Sequence, residues 1–363
     1  MITCRTLTDG GQAAVDVARE VAAFLDAAQH SLELAVYDLE LSGESEEIVL
    51  GALRRARDRG VAVRLAYNVH HPNPIPVPPP PQCVPEDVAA LPVESLAVSG
   101  IPDLMHHKFA VRDGTAVLTG STNWTDDSWT RQENLMVSIE SAELAEAYAL
   151  AFDALWTGPV LEAGRVEPRP VDVGGTVIRP WFCPGYGDAL SHRVAKAIGR
   201  AKRRVRTCSP VISTGPVLGT LAQVAAEDRV DIAGCVDATQ LAYVHQQWTA
   251  MKVSAWKIPL LEAILERAPF SGKNSTPWAP GSLHDFMHAK VTVADDVVFC
   301  GSFNLSRSGE RNAEDMLEIH DASLAEELAA FVDGVRERYP RFTLALPDRP
   351  RRNETVPVPG TDV

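Results

Sequence analysis

The sequence has few of the features of a secreted, metal-binding or membrane-spanning protein. Its six cysteines include no CxxC pair and no Cys/His cluster with the spacing of zinc ligands. No uninterrupted apolar run reaches the ~18 residues that a membrane-spanning helix needs, and the N-terminus lacks the basic and apolar stretches of a signal peptide. We therefore expect a cytoplasmic protein with reduced thiols, without a metal, a cofactor or a transmembrane segment.

Positive charge is also scarce, because 34 Lys and Arg residues stand against 48 Asp and Glu residues. The net charge of −14 weighs against broad, non-specific binding to nucleic acids. Aromatic residues make up only 6% of the chain, but 45% hydrophobic and 23% charged residues are ordinary proportions for a globular protein. A chain of 363 residues is long enough for two domains.

Hydrophobic periodicity predicts an α/β protein. Apolar residues at helical spacing from Val15 to Gln29 are followed by "SLELAVYDLEL", which is typical of a buried strand. The amphipathic stretch "ESEEIVLGALRRARDRG" and the apolar stretch "VAVRLAY" complete a strand-helix-strand unit, and the same order returns after residue 180. We therefore predict two pseudo-symmetric halves, each with a mixed, largely parallel β-sheet that is flanked by helices.

The two halves are predicted to cover residues 1–160 and 176–345, with a Pro- and Gly-rich joint between them and a flexible tail at 346–363. Two segments break the symmetry of the halves, the proline-rich residues 70–87 and residues 251–285. The second segment contains Trp256, Phe270 and Trp278. Both segments are interpreted either as rims of a functional site or as surface insertions without a role.

A polar motif occurs once in each half. Met105 begins "MHHKFAVRDGTAVLTGSTN", and Met287 begins "MHAKVTVADDVVFCGSFN". The two histidines of the motif are separated by half of the chain length, which indicates a duplication. The motif residues are His106, Lys108, Asp113, Ser121 and Asn123 in the first copy and His288, Lys290, Asp295, Ser302 and Asn304 in the second.

The spacing within each copy predicts where the side chains point. Residues two apart on a strand point to the same face, so each His–Lys pair is expected to project together from a strand. The pattern H-x-K-x4-D followed by G-S-x-N, present twice, resembles the phospholipase D superfamily. The resemblance covers most of the chain, since the strand-helix-strand units and the helices after each motif are repeated too. It implies that both motifs meet at one site across a pseudo-twofold axis, within a monomeric active unit.

The residue types of the motif suit metal-independent phosphoryl transfer. Lys108 and Lys290, with the asparagine amides and serine hydroxyls of both copies, can hold the non-bridging oxygens of a phosphodiester. A neutral imidazole can attack phosphorus to form a phosphohistidine, and a second, protonated imidazole can donate a proton to the leaving oxygen. The resemblance implies that His106 is the nucleophile and His288 the general acid and base. The chemical near-equivalence of the halves leaves the reverse assignment open.

Two pairs of carboxylates accompany the motifs. Glu133 and Glu314 follow their histidines at similar distances and can accept a hydrogen bond from an imidazole Nδ1. The resemblance implies that each supports the histidine of the opposite half, and the alternative is that each is a surface acid on a loop. Asp113 and Asp295 are expected to be structural and to brace the turn of the motif.

The motifs indicate a reaction, whereas the substrate stays open. The acidic net charge and the apolar, aromatic segments favour a phospholipid headgroup, which is hydrolysed or transferred to an alcohol during transient contact with a membrane surface. A metal-independent endonuclease is the alternative. A non-catalytic phosphate-binding scaffold is a third hypothesis, and the presence of all four motif histidines and lysines weighs against it.

Overall fold

The structure is a computed structural model, and it describes residues 1–69, 83, 85–91, 93–99, 103–158, 166–277, 279 and 281–344. Trp278, most of the proline-rich segment and the tail predicted at 346–363 lie outside the described residues. The predicted domain boundaries stay predictions, because part of the predicted joint also lies outside them. Within the described ranges, no helix is both long and apolar enough to cross a lipid bilayer.

The first half builds one seven-stranded sheet in the order β1-β9-β7-β6-β2-β4-β5, while β3 and β8 pair separately. Its strands are β1 (Ile2–Leu7), β2 (Ser31–Val36), β3 (Leu39–Glu40), β4 (Ala62–Val69), β5 (Glu94–Ser99), β6 (Lys108–Arg112), β7 (Ala116–Gly120), β8 (Trp124–Thr125) and β9 (Asn134–Glu140). Its helices are α1 (Ala14–Asp26), α2 (Gly43–Asp58), α3 (Pro85–Ala89), α4 (Asp126–Thr130) and α5 (Ala142–Thr157).

The second half builds an eight-stranded sheet in the order β10-β11-β17-β16-β15-β12-β13-β14. Its strands are β10 (Val171–Val173), β11 (Thr176–Phe182), β12 (Arg204–Cys208), β13 (Asp231–Asp237), β14 (Phe270–Lys273), β15 (Val291–Ala294), β16 (Val297–Gly301) and β17 (Asp315–His320). Its helices are α6 (Gly187–Arg200), α7 (Gly215–Glu227), α8 (Ala238–Ala250), α9 (Ile258–Arg267) and α10 (Ala322–Arg338), with a 3₁₀ turn at Ala255–Lys257.

The α/β class with mixed sheets flanked by helices is confirmed, but the expectation that the sheets are largely parallel is wrong. Among the described strands of the two large sheets, parallel pairing is confined to β2–β4, β4–β5, β12–β13 and β13–β14. The motif strands β6 and β7, and likewise β15 and β16, pair antiparallel. Tight turns at Asp113 and Asp295 connect them, and so short a connection can join only antiparallel neighbours.

Asp113 and Asp295 occupy equivalent places in these turns. Their φ angles of 52° and 53° lie in the left-handed region, which aspartate tolerates better than most residues with a side chain. The Asp113 carboxylate accepts hydrogen bonds from the backbone N–H groups of residues 29–31, and the Asp295 carboxylate accepts from those of residues 202–204. Burial opposes their ionisation, but the backbone donors outweigh it and hold the pKa of both carboxyls below the usual value. These contacts fit the predicted structural role.

The two halves share one apolar core. Val111 and Phe152 of the first half belong to the same buried cluster as Val293 and Val332 of the second, so the inner faces of both sheets meet around α5 and α10. Helices α1 and α2 cover the outer face of the first sheet, and α6 and α7 cover that of the second. A rigid core between the sheets fixes the distance between the two motifs, because protein interiors are close-packed.

The segment at 251–285 is largely an integral part of the second half. Its strand β14 pairs with β13, and Phe270 is buried in the core. Neither interpretation of the segment, as a rim of the site or as a surface insertion, fits Phe270, because an edge strand continues the sheet there. Trp256, in contrast, is 53% exposed.

Candidate active site

The two motifs meet beside the carboxyl ends of the parallel strands. The ring centroids of His106 and His288 lie 6.5 Å apart, with an angle of 82° between the ring planes. Each histidine lies just before its motif strand, whereas the lysine two residues on either opens that strand or directly precedes it. A gap of this size accommodates a phosphate group with a hydrogen bond on each side. The structure thus places one centre between the halves, as the repeat predicts.

Each histidine is held by the backbone of the opposite half. The His106 N–H donates to the carbonyl oxygen of Ala313 at 2.9 Å, and the His288 N–H donates to that of Glu133 at 3.2 Å. These reciprocal bonds fix the separation of the two rings.

The residue before each histidine is held by its own half. The Met105 N–H donates to Asn68 Oδ1 at 3.0 Å, and the Met287 N–H donates to Asp237 Oδ2 at 3.0 Å. Asn68 and Asp237 both lie at the carboxyl ends of parallel strands. Burial raises the pKa of Asp237 to about 6, although the hydrogen bonds that its carboxylate accepts pull the pKa down.

His106 is paired with a carboxylate from the other half. Its Nδ1 lies 2.8 Å from both carboxylate oxygens of Glu314, and neither side chain is exposed. Because a carboxylate only accepts hydrogen bonds, Nδ1 carries the proton and the lone pair of the neutral ring is on Nε2. The predicted contact of Glu314 with the histidine of the opposite half is confirmed.

His288 has an amide partner instead. Its Nδ1 lies 3.3 Å from Asn134 Oδ1. The amide nitrogen of Asn134 donates to Ser128 and Gln132, and its oxygen also accepts from the Ser121 hydroxyl. This network orients the amide oxygen towards His288, so that Nδ1 donates to it.

The predicted contact between the Glu133 carboxylate and the His288 ring is wrong. The Glu133 carboxylate accepts hydrogen bonds from Lys273 Nζ at 3.1 Å, from the Asp9 N–H at 3.3 Å and from the Tyr339 hydroxyl.

Strand register explains why Glu133 points elsewhere. Gly120 pairs with Met136 in the first sheet and Gly301 with Met316 in the second, so counting back two residues makes Asn134 the equivalent of Glu314.

The His288 ring lies among positive charges. Burial lowers the pKa of His288 well below its usual range, and the charges of Lys290 and Lys108 lower it further, as do His106 and His284. The ring is therefore neutral near neutral pH until a negative charge enters the site.

The motif lysines line the same buried space. Lys108 Nζ donates to the carbonyl oxygen of His106, and Lys290 Nζ donates to that of His288, both at 2.8 Å. Lys108 Nζ also lies 4.6 Å from the centroid of the Tyr37 ring. Both lysine side chains are almost fully buried. Two buried ammonium groups favour an anion in the gap between the histidines.

The motif serines brace the strands that follow them. The Ser121 hydroxyl donates to Asn134 Oδ1 at 2.7 Å and accepts from the Leu135 N–H at 3.0 Å. The Ser302 hydroxyl accepts from the Asp315 N–H at 2.9 Å. Both hydroxyls are fully buried, so these contacts favour a bracing role over contact with a phosphate.

The glycines of the motif let neighbouring strands approach each other closely. A Cβ at Gly120 would lie 2.2 Å from a carbonyl oxygen of β9, and one at Gly301 would lie 2.4 Å from a carbonyl oxygen of β17. Asn123 and Asn304 follow in the next loop and are almost fully buried. Asn123 Oδ1 has no hydrogen-bond partner among the described residues, which leaves it available to a ligand donor.

Sequence reasoning missed an aromatic wall of the site. Tyr37 follows β2 and packs edge-on against His106, with 4.6 Å between ring centroids. Phe286 lies 6.5 Å from His288 and stacks on His284. The available signal for Tyr37 was its place at the carboxyl end of a parallel strand, where α/β sheets bind ligands.

Comparison with known families assigns the chain to a family. A family model described as "Cardiolipin synthase, PLD-like domain" matches residues 21–156 and 194–335, which make up more than half of the sequence. The chain belongs to the phospholipase D-like family. Both matched segments contain one complete copy of the motif, so the family match covers the whole site of this phospholipase D-like protein.

Individual relatives agree with this assignment. The chain is 35% identical to a mitochondrial cardiolipin hydrolase of Xenopus tropicalis over 130 residues, which are 36% of this chain and 56% of that protein. A match to the Xenopus laevis protein of the same name has 36% identity and the same coverage. The chain thus spans about half the length of the curated relatives it matches.

A solved structure shares the complete two-half fold. The phosphatidylserine synthase of Haemophilus influenzae Rd KW20 has a TM-score of 0.65 at 13% identity, covering 92% of this chain and 86% of that one. A polyphosphate kinase of Porphyromonas gingivalis has a TM-score of 0.56 at 12% identity, covering 93% and 50%. The fold therefore supports more than one phosphoryl chemistry, and the substrate has to be argued from the site.

Proposed function

We propose that the protein is a phospholipase D-type phosphodiesterase that works through a covalent phosphohistidine. The observation that carries this proposal is the pair of buried imidazoles 6.5 Å apart, with a buried lysine beside each. A phosphodiester between the rings would meet a nucleophile on one side and a proton donor on the other.

In the first step, Nε2 of His106 attacks phosphorus and the bond to the leaving oxygen breaks. The attacking ring becomes a cation that persists as long as the intermediate, and Glu314 at Nδ1 offsets this charge. His288 gives its proton to the leaving oxygen. Its lowered pKa makes the protonated ring a ready donor, and the negative charge of the bound diester promotes its protonation beforehand.

In the second step, neutral His288 takes a proton from water or from an alcohol. The resulting oxygen nucleophile attacks the phosphohistidine, the N–P bond breaks, and His106 returns to its starting tautomer. Water gives hydrolysis and an alcohol gives transfer of the phosphoryl group. The neutral base is favoured because its partner is the amide of Asn134 and not a carboxylate.

In this proposal, the non-bridging oxygens of the diester are bound by Lys108, Lys290 and the amides of Asn123 and Asn304. All four side chains are buried, and donors in a buried site act in a low dielectric and stabilise developing charge strongly. The two motif serines position strands β9 and β17 instead.

For the substrate, we favour a phospholipid. The matched relatives are named cardiolipin hydrolases, and the solved neighbour with the full fold is a phosphatidylserine synthase. The aromatic wall of Tyr37 and Phe286 gives the site an apolar side that suits the glycerol and acyl part of a lipid.

A parallel assay tests this substrate. Vesicles of phosphatidylcholine, phosphatidylglycerol and cardiolipin are compared with single- and double-stranded DNA and RNA, with and without a chelator, and His106→Ala serves as the control. Headgroup release that persists with the chelator, and transfer to added ethanol, are expected. Cleavage of nucleic acid by the wild type alone, without lipid turnover, would show that the endonuclease alternative is right.

The place of action stays a prediction from sequence. We infer a cytoplasmic protein whose single chain contains both motifs and reaches lipid from the aqueous side. The curated relatives are named mitochondrial, so fractionation of cells into cytosol and organelles, with detection of the native protein, is the measurement that decides.

A further inference from the structure

Exposed apolar side chains are concentrated after α8. Among the described residues, the exposed large apolar side chains are Met1, Leu150, Val177, Met251, Val253, Trp256 and Leu283. Met251, Val253 and Trp256 fall in one short stretch, residues 251–257, which we name the 251–257 loop. Single exposed apolar residues are ordinary, whereas several together indicate a contact surface.

The composition of the 251–257 loop identifies the kind of surface it suits. Val253 is 81% exposed, Met251 58% and Trp256 53%, and the exposed Lys252 lies between the first two. Tryptophan favours the boundary between hydrocarbon and water, and lysine can bury its stem while its ammonium group contacts anionic headgroups. Lysine is depleted in interfaces between proteins, so this mixture favours a lipid surface over a protein partner.

The loop is supported by the protein beneath it. The Trp256 ring packs so closely on the start of α7 that a Cβ at Gly215 would lie 3.1 Å from it. Lys257 Nζ donates to the carbonyl oxygen of Ser213 at 2.7 Å and lies 5.5 Å from the centroid of the buried Trp248 ring. The loop therefore presents its apolar side chains from a fixed base.

A short chain of contacts links this base to the active site. The N–H groups of Ser213 and Thr214 donate to the carbonyl oxygen of Leu305, at 2.7 and 3.1 Å. Leu305 directly follows Asn304 of the second motif. Arg307, whose side chain is 75% exposed, lies nearby and pairs with the Glu310 carboxylate at 3.3 Å. The base of the loop is thus joined by hydrogen bonds to the residue after Asn304, which is proposed to hold the phosphate.

We propose that the 251–257 loop enters the headgroup region of an anionic bilayer and holds the active site against it. The net charge of −14 opposes the approach of the whole protein to such a surface, so the local cations and apolar side chains have to provide the attraction. This inference rests on the phospholipid substrate proposed above.

The binding test uses protein that cannot turn over its substrate. In a His106→Ala background, the triple variant Met251→Ser, Val253→Ser, Trp256→Ser is compared with the control pair Leu150→Ser, Val177→Ser, which removes exposed apolar residues from α5 and β11. Binding to vesicles of phosphatidylcholine and phosphatidylglycerol in equal parts is measured by co-sedimentation. The triple variant should bind about tenfold more weakly or worse, and the control pair should bind as the parent.

A second measurement separates the loop from the chemistry. With His106 intact, turnover of dihexanoyl phosphatidylglycerol dispersed as monomers should be equal in the wild type and the triple variant, while turnover of vesicle lipid should fall with binding. Equal vesicle binding by the triple variant would overturn the loop proposal. So would a dimer in sedimentation analysis that only the triple variant loses, without vesicle binding by either. If the loop governs binding but no lipid is turned over, the contact surface stands and the proposed substrate fails.

Discussion

The two halves of the molecule hold equivalent histidines with different chemistry. His106 has the carboxylate of Glu314 at Nδ1, whereas His288 has the amide of Asn134 at the same place. A carboxylate suits a ring that carries a lasting positive charge, and an amide suits a ring that has to gain and lose a proton. The difference teaches how a duplicated, nearly symmetric site can divide nucleophile and acid–base roles between its copies.

The residue before each histidine shows the opposite arrangement, with an amide partner in the first half and an acid partner in the second. Asn68 holds the backbone of Met105 in the first half, whereas Asp237 holds that of Met287 in the second. The halves therefore differ in the charge of two equivalent partners while their backbone geometry is kept. Changing those partners is the direct way to break the comparison.

The largest expected effect is on stability, through a contact that crosses between the halves. Lys273→Met removes the cation that pairs with the buried Glu133 carboxylate at 3.1 Å. We expect a loss of about 3 kcal/mol or more in unfolding free energy, because a buried charge is left with fewer partners. Denaturant unfolding measures it. The exposed pair of Arg19 and Glu44 provides the control, where Arg19→Ala should change stability by less than about 1 kcal/mol.

The next effect is on turnover. Glu314→Gln keeps the shape of the side chain but removes the charge that offsets the cationic ring of His106. We expect kcat to fall about 100-fold or more with stability little changed, as for other His–carboxylate pairs. Steady-state kinetics on a soluble phosphodiester measures this loss. A fall of less than threefold would contradict the role given to the carboxylate.

A third effect concerns stability and depends on pH. The folded-state pKa of Asp237 is raised from 3.8 to about 6, so the folded protein binds this proton more tightly than the unfolded chain. The wild type should therefore gain up to about 3 kcal/mol relative to Asp237→Asn as pH falls from 7 towards 4, and lose it as pH rises through 6. Parallel unfolding curves at several pH values measure the difference. A constant gap between the two proteins would show that Asp237 does not titrate in this window.

The smallest effect is expected from a substitution that makes the two halves more alike. Asn134→Asp places a carboxylate beside His288 and should raise the pKa of that ring by about 1 unit or more. Since His288 has to be protonated to act as the acid, the high-pH limb of kcat/KM should move upward by the same amount. Asn68→Asp is the matched control, because it makes the same substitution at a residue that contacts the backbone of Met105 instead. A limb that moves equally in both variants would assign it to another group.

Much of this site could be predicted from sequence, because each copy of the motif is local. Fixed short spacings place Asp113 and Asp295 in tight turns and bring each lysine near its histidine. Equal motifs at half-length intervals then predict that the halves face each other. The contact of Glu314 with His106 is what the family resemblance implies.

The partner of the His288 ring could not be predicted, because it depends on strand register, which sequence spacing does not fix. The segment from Asn123 to Asn134 is one residue longer than that from Asn304 to Glu314. Counting to the nearest carboxylate therefore selects Glu133, and only the pairing of β7 with β9 shows that Asn134 faces His288. Tyr37 was missed for a similar reason. A buried aromatic residue at a strand end is interpreted as part of the core until the neighbouring strand is known.

The division of roles between the halves is tested most directly by trapping the covalent intermediate. A p-nitrophenyl phosphodiester labelled at phosphorus needs no acid for its leaving group, so His288→Ala should still be phosphorylated but should not be able to activate water. We predict an acid-labile, base-stable label on His288→Ala and none on His106→Ala. Label on His106→Ala alone would reverse the two roles. Absence of label from both variants, when the wild type turns the same diester over, would contradict the phosphohistidine mechanism.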